Sequence, residues 1–467
     1  MPWNREAILA ATGGKILSEG RNKLFGEIVT DSTKVTKGAV FVALKGERLD
    51  GHEYIAEAIR RGAGCVVVHR SLKPIGLNGA TVIRVDDTLR ALGDLAHDRR
   101  KKLSPKVLAI TGSNGKTTTK EMVAAILERA SASGRSLRGR VLKTQGNYNN
   151  LIGLPLTLLG LRESHKVAVV ELGTNHPGEI QRLTEIADPD IGLITSVAPA
   201  HLEGLNSLAG VAREKGALFR GIRAGGKIIV NLEDPWVRRL GKKFKGKKVT
   251  FGQAGQVRAE SVETLGSNGT SFVLRVATRR CRVRLNVCGN HNLINAVAAA
   301  AMAHGFGARL AAIRQGLAAI KPVPMRMETQ SWKGIGIIND AYNANPASMK
   351  AALEALAGLP CRSQRVAVLG DMFELGQESR KRHFQVGEHA AQLGIERLYL
   401  LGKQAREVRK GALRSGMRED QVVVGTNHRQ IAQRLRHDVR KGDWLLVKGS
   451  RGMKMEKVIE ALKQFRG

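Results

Sequence analysis

The sequence predicts an α/β protein of three consecutive domains, and three observations carry that reading. The chain has 467 residues, more than one hydrophobic core usually serves, and such a length suggests about three units of roughly 100 to 200 residues each. Hydrophobic residues make up 42% and charged residues 25%, the balance of a chain that folds throughout. Short apolar runs of strand length alternate with helical patterns from one end to the other, the mark of α/β architecture.

The elements follow in order. In the first hundred residues "GAVFVAL", "GCVVVH" and "TVIRV" read as buried strands, with "GHEYIAEAIRRGA" and "DTLRALGDLAHDRRKKL" as helices between and after them. A boundary near "KKLSPK" closes a first domain over 1–103. The second opens with the strand "KVLAI" and continues with "HKVAVVEL", "DIGLITSV" and "GKIIVN", a series expected to form a mostly parallel sheet. From 247 to 287 the pattern alternates as in hairpins, for example "TSFVLRV", before "GNHNLINAVAAAAMAHG" restores a helix. The proline-rich "IKPVPMR" marks the next linker, so the second domain covers 104–321. The third, 322–467, alternates again through "IGIIND", "RVAVLGD", "RLYLLG", "QVVVG" and "DWLLVKG".

Bulk properties exclude several function classes. No apolar run approaches the ~18 residues of a membrane span, and "MPWNREAILAATGG" lacks a basic start and a long apolar stretch, so a cytoplasmic protein with no membrane partner is expected. Cys65, Cys281, Cys288 and Cys361 stand far apart without a C-x-x-C pair, which indicates neither a disulfide framework nor a zinc site. The net charge of +35 invites a nucleic-acid reading, but only "GKKFKGKK" (241–248) and "DRRKK" (98–102) are dense, and no recognition motif accompanies them. A solvated basic surface that favours anionic small substrates is the expectation, with no specific nucleic-acid partner.

One stretch carries chemistry by itself. In "VLAITGSNGKTTTKEM" (107–122) a buried strand delivers a glycine-rich loop to a helix that begins near Lys116. The usual G-x-x-x-x-G-K-[ST] spacing needs a glycine at 110, where Ile110 stands. The context still supplies a phosphate cradle. Amides of Gly112, Ser113, Asn114, Gly115 and Lys116 would point at phosphate oxygens, the Lys116 ammonium would neutralise the terminal phosphates, and Thr117 or Thr118 would offer a hydroxyl to magnesium. The plainer alternative is a glycine turn capping a helix. Glu171 and His201, each following a strand beside this loop, are placed to reach a magnesium ion.

"TGSNGKTTTKEM" resembles the loop T-G-[ST]-x-G-K-[ST] of the Mur ligase family, whose members make amide bonds through acyl phosphates. The resemblance extends over nearly the whole chain through "TQGNYNNLIGLPLTLL" (144–159), "VVELGTNHPGEI" (169–180), "SVAPAHLEGLNSLAGVAREKG" (196–216), "GNHNLINAVAAAA" (289–301), "PMRME" (324–328), "INDAYNANPASM" (338–349) and "VLGDMFELG" (368–376). These blocks are similar to the branch that adds D-alanyl-D-alanine to UDP-N-acetylmuramoyl-tripeptide for peptidoglycan synthesis. The diamino-acid-adding branch carries D-N-P-R in its last domain, which this sequence lacks.

The resemblance implies an N-terminal domain that binds the uridine nucleotide, a central P-loop ATPase-like domain and a C-terminal Rossmann-like domain that closes over ATP and the dipeptide. It assigns Asn295 to the nucleotide, Arg326 to the γ-phosphate, and Asp340, Tyr342 and Asn343 to a wall closing on ATP and dipeptide. Asn147, Asn149 and Asn150 go to the substrate, as do Asp31, Ser32, Lys45, Gly46, Asp50, Gly51 and His52 of "VTDSTKVTKGAVFVALKGERLDGHEY". The family commonly has arginine after Asp-[ST]; here Thr33 stands there and Lys34 follows. Two magnesium ions are implied, held by Thr117, Glu171, His201 and an N6-carboxylysine formed at Lys215. The family pattern there is often Lys-Gly-Glu, whereas Ala217 follows Gly216. A monomer is expected.

Overall fold

The computed structural model describes residues 2–70, 79–361 and 363–464. Three separate sheets organise it. The first has the order Lys15–Ser18, Thr81–Arg84, Cys65–Val68, Val40–Val42, Ile28–Val29, parallel except for the first pair. All three strands anticipated in this region are present. Strands buried on both faces read as continuous apolar runs, which is why "GCVVVH" was legible. The helix Thr88–Leu103 closes this unit and also grips the next: Ala91, Leu92 and Leu95 enter the first core, whereas Ala96 enters the central one. Its buried Arg100 donates to the carbonyls of Ala187 at 3.0 Å and Asp188 at 2.8 Å.

The central sheet has nine strands in the order Val141–Lys143, Val167–Glu171, Lys106–Thr111, Ile191–Ile194, Lys227–Asn231, Lys247–Phe251, Val257–Thr264, Thr270–Val276, Arg279–Leu285. It is parallel as far as Val257–Thr264 and antiparallel in the final meander. The chain leaves Lys106–Thr111 for a neighbour on one side and later returns to the other. That reversal opens a crevice beyond the strand's C-terminal end, where ligands of open α/β sheets bind. One face is covered by the helices Lys116–Leu127 and Asn290–Phe306; the run Ala298–Ala301 in the second is 0 to 1% exposed because methyl groups let the helix approach the sheet closely.

The third sheet runs Glu328–Trp332, Ile335–Asp340, Trp444–Lys448, Arg365–Gly370, Arg397–Leu401, Val422–Gly425, again parallel after the first antiparallel pair. All four cysteines are free, and burial pushes the Cys65 thiol up to about 12, so it packs as an inert group. Among the described residues no helix is long and apolar enough to cross a membrane. Lys242, Lys243, Lys245, Lys247 and Lys248 of the basic cluster are exposed. Lys247 pairs with Lys227 at the start of its strand, the end opposite the crevice.

Candidate active site

The strand Lys106–Thr111 ends in the loop 112–115, and Lys116 starts the next helix. Ile110 is fully buried in the sheet, in register with Glu171 and Leu193, so it belongs to the strand and no glycine is required there. Glycine is required at two other points. Gly112 has φ +148, and a Cβ on it would lie 1.9 Å from Thr195 Oγ1; Gly115 has φ +80, and its Cβ would lie 2.2 Å from Asn295 Oδ1. The loop is thus pressed against the neighbouring strand on one side and the alanine-rich helix on the other. Lys116 folds back so that Nζ donates to the Gly112 carbonyl at 2.8 Å. Burial lowers its pKa, opposed by Glu171 and assisted by Arg326. A neighbouring anion such as a phosphate favours the ammonium form.

Beside the lysine, Thr117 Oγ1 donates to Glu171 Oε2 at 2.8 Å, and Asn149 Nδ2 donates to Glu171 Oε1 at 2.8 Å. Glu171 is 1% exposed at the C-terminal end of its strand. These groups line a cavity of about 740 Å³ whose other wall comes from the third sheet. Arg326 stacks over the Tyr342 ring at 4.0 Å, and both side chains line the cavity. Asp340 Oδ1 accepts from Met327 N at 3.0 Å.

Of the residues expected at the nucleotide and acceptor, Ser113 through Thr118, Asn147, Asn149, Glu171, His201, Asn295, Arg326, Asp340, Tyr342 and Asn343 all line this one cavity. Gly112 is not among the lining residues; its carbonyl accepts from Lys116 Nζ. Asn150 does something else: its Oδ1 accepts from Ile152 N at 3.2 Å and Gly153 N at 2.8 Å, ordering the start of a helix. His201, at φ +54, points Nδ1 to Glu374 Oε2 of the third domain at 2.5 Å. Lys215, expected as a metal ligand, is 1% exposed and is not among the residues that line the cavity. Burial lowers its pKa well below the usual lysine range, and the charge of Lys116 adds to the effect.

The expected first-domain residues form a second group, away from this cavity. Asp31 Oδ1 accepts from Thr33 N at 3.0 Å and from Thr33 Oγ1 at 2.6 Å, so those bonds hold its carboxyl below the usual range. Thr33 therefore serves the turn. Ser32 donates to Glu57 at 3.2 Å. The backbones of Lys45 and Asp50 pair as an isolated antiparallel β-bridge, Gly46 N donates to Leu49 O at 2.9 Å, and Gly51 N to Leu44 O at 2.7 Å. His52 is buried against Asp50, Nδ1 to Oδ1 at 2.6 Å, and Nε2 accepts from His69 N at 3.2 Å. Burial lowers the His52 pKa despite its carboxylate partner.

Several cavity residues escaped the sequence reading. Phe373 and Glu374 lie in "GDMFELG", and Lys448, Ser450, Arg451 and Gly452 in "KGSRGMKME", a stretch that reads as an ordinary glycine turn. Asn345, in "NANP", reads as the start of a helix, which it is, but it also faces the cavity. The repeated glycine near a strand end was the available signal for 448–452.

Comparison with known proteins agrees with this layout. Residues 25–100 match the family model described as Mur ligase family, catalytic domain, residues 110–303 the Mur ligase middle domain, and residues 325–451 the Mur ligase, glutamate ligase domain. The UDP-N-acetylmuramoyl-tripeptide--D-alanyl-D-alanine ligase of Escherichia coli (strain K12) is 39% identical over 454 residues, 96% of this chain and 95% of that protein. The ligase of the same name from Bacillus subtilis (strain 168) is 36% identical, covering 93% and 92%. Among solved structures, MurF from Acinetobacter baumannii superposes with a TM-score of 0.90 at 32% identity over 99% of both chains. MurF ligase from Thermotoga maritima in complex with ADP gives 0.82 at 28% identity, over 94% of this chain and 97% of that one. Matched by family models in all three regions and by relatives almost end to end, the chain belongs to the Mur ligase family.

Proposed function

We propose that this chain is an ATP-dependent ligase that joins D-alanyl-D-alanine to UDP-N-acetylmuramoyl-tripeptide, giving the UDP-muramoyl-pentapeptide used in peptidoglycan synthesis. The observation that carries the reading is one cavity in which Lys116, the Thr117–Glu171 oxygen pair and the third domain's Arg326, Asp340, Tyr342 and Asn343 face each other. Relatives bearing that ligase name and an ADP-bound neighbour support it.

In this reading the amides of Gly112 to Lys116 and the Lys116 ammonium hold the phosphates, Asn295 meets the nucleotide, and Arg326 clamps the γ-phosphate. The tripeptide's terminal carboxylate attacks the γ-phosphorus and ADP leaves. The amine of D-alanyl-D-alanine then attacks the acyl carbon, phosphate departs with the C–O bond electrons, and the amine loses its proton. Asp340, Tyr342 and Asn343, as the closing wall, keep water from the acyl phosphate.

Thr117 and Glu171 suit magnesium, being hard oxygen donors one hydrogen bond apart. Among the described residues no group of three or more His, Cys, Asp or Glu could hold a metal, so most ligands would come from phosphate and water, as magnesium prefers. When bound, the ion offsets charge between nucleotide and carboxylate. For a second ion we propose His201, released from Glu374, and a carbamylated Lys215. Burial lowers the Lys215 pKa well below the usual lysine range, which favours the neutral amine that adds carbon dioxide: an N–C bond forms, a proton leaves, and the side chain becomes a carbamate anion.

We assign the uridine nucleotide to Asp31, Ser32, Lys45, Gly46 and Asp50 to His52, and the peptide stem to Asn147, Asn149 and the segment that Asn150 orders. The division into 1–103, 104–321 and 322–467, a monomeric state and a cytoplasmic location complete the reading. Phosphate release measured with both substrates, then with each omitted, tests it. Release that does not require D-alanyl-D-alanine, or that accepts a diamino acid or glutamate instead, overturns it.

A further inference from the structure

The segment from Asp340 to Asn345 forms a wall of the cavity between the strand Ile335–Asp340 and the helix Pro346–Ala357. Its near end is fixed by Lys448, 2% exposed and the register partner of Asp340 on the adjacent parallel strand. The Lys448 ammonium donates to Asp340 Oδ2 at 2.5 Å and to the Asn343 carbonyl at 2.9 Å. Its far end is fixed by Asn345, whose Oδ1 caps the helix by accepting from Ser348 N at 2.9 Å. The amide nitrogen of the same side chain crosses to the central domain and donates to Asn114 Oδ1, inside the phosphate loop, at 2.8 Å. One asparagine therefore does two things at once: it starts a third-domain helix and touches the loop.

We propose that Asn345 is a positioning residue that couples closure of the third domain to occupancy of the phosphate loop, with Lys448 stiffening the segment that carries it. This rests on the nucleotide reading of the loop given above. A nucleotide that orders Asn114 gives the Asn345 amide a fixed acceptor. Because Lys448 ties Asp340 and Asn343 to the sheet, that one bond presents the whole wall to the acceptor dipeptide.

Two variants separate the bridge from the cap. Asn345→Ser keeps a good helix cap but is too short to reach Asn114; Asn345→Ala loses both. Hydrogen exchange over 340–351 is followed with and without a non-hydrolysable ATP analogue, together with KM for each substrate. In the unaltered protein the analogue is expected to slow exchange there. In Asn345→Ser the analogue should still bind, the slowing should vanish, and KM for D-alanyl-D-alanine should rise about fivefold, the loss of one neutral hydrogen bond, with KM for the UDP-tripeptide unchanged. Asn345→Ala should show the same KM change with a lower melting temperature, whereas Asn345→Ser melts like the parent. If Asn345→Ser retains the analogue-dependent slowing, or if the KM changes follow melting temperature, the coupling is overturned alone. If the unaltered protein does not bind the analogue, the nucleotide reading falls and the coupling falls with it.

Discussion

Gly115→Ala tests how tightly the phosphate loop is built. At φ +80 an alanine carries a left-handed backbone cost of about 1–2 kcal/mol. Its Cβ would also sit 2.2 Å from Asn295 Oδ1, and displacing that amide adds an overpacking cost of about 1–3 kcal/mol. The sum, about 2–5 kcal/mol, should lower the melting temperature of the central domain at about 2–4 °C per kcal/mol. The two contributions can be separated. In an Asn295→Ala background the obstructing oxygen is gone, so Gly115→Ala should cost only the backbone part, about 1–2 kcal/mol. Thermal and urea unfolding of the four proteins in the cycle give both numbers. Phosphate release should fall at least about tenfold in Gly115→Ala, because amides shifted by a fraction of an ångström no longer converge on a phosphate. Equal costs in the two backgrounds, or a cost below about 1 kcal/mol in the parent, would refute the close approach of loop and helix.

Three further outcomes are expected. Lys116→Ala should abolish acyl-phosphate formation while leaving UDP-tripeptide binding largely intact, because the lysine acts on the transferred phosphoryl charge in a different domain from the uridine site; isothermal titration alongside a phosphate-release assay checks both halves. Asp340→Ala and Asn343→Ala should raise KM for ATP or D-alanyl-D-alanine more than KM for UDP-tripeptide, and a change confined to the tripeptide would reverse the domain roles. Lys215→Ala should be nearly inactive and partly restored by a short carboxylic acid that fills the vacated space. A parent protein labelled with 13C-bicarbonate should show a carbamate carbon by NMR that the variant lacks, and a variant of normal activity would sink the modification.

What the sequence determined by itself was whatever is encoded by neighbours along the chain. The alternation of apolar runs and helical patterns yielded the strands "TSFVLRV" and "IGIIND" to the residue, since burial of both faces or hairpin alternation is a local pattern. The phosphate loop was equally legible because strand, turn, lysine and helix N-terminus lie within sixteen contiguous residues. Ile110 shows where local reading stops. Only the register with Glu171 and Leu193 explains why a glycine is absent there, and only the packing of Thr195 and Asn295 explains why glycines stand at 112 and 115. Lys215 is a sharper case, because a lysine in a helix is expected in solvent, yet the last turn of Leu208–Lys215 faces the core. The pairings that join the domains were illegible for the same reason, although Asn114 and His201 themselves were legible. Asn114 and Asn345 are 231 positions apart, and His201 and Glu374 are 173 apart. No spacing rule reaches across such distances. Their proximity depends on how three separately closed sheets dock, which is decided by the packing of whole surfaces, while the chemistry each residue brings is set by its type alone.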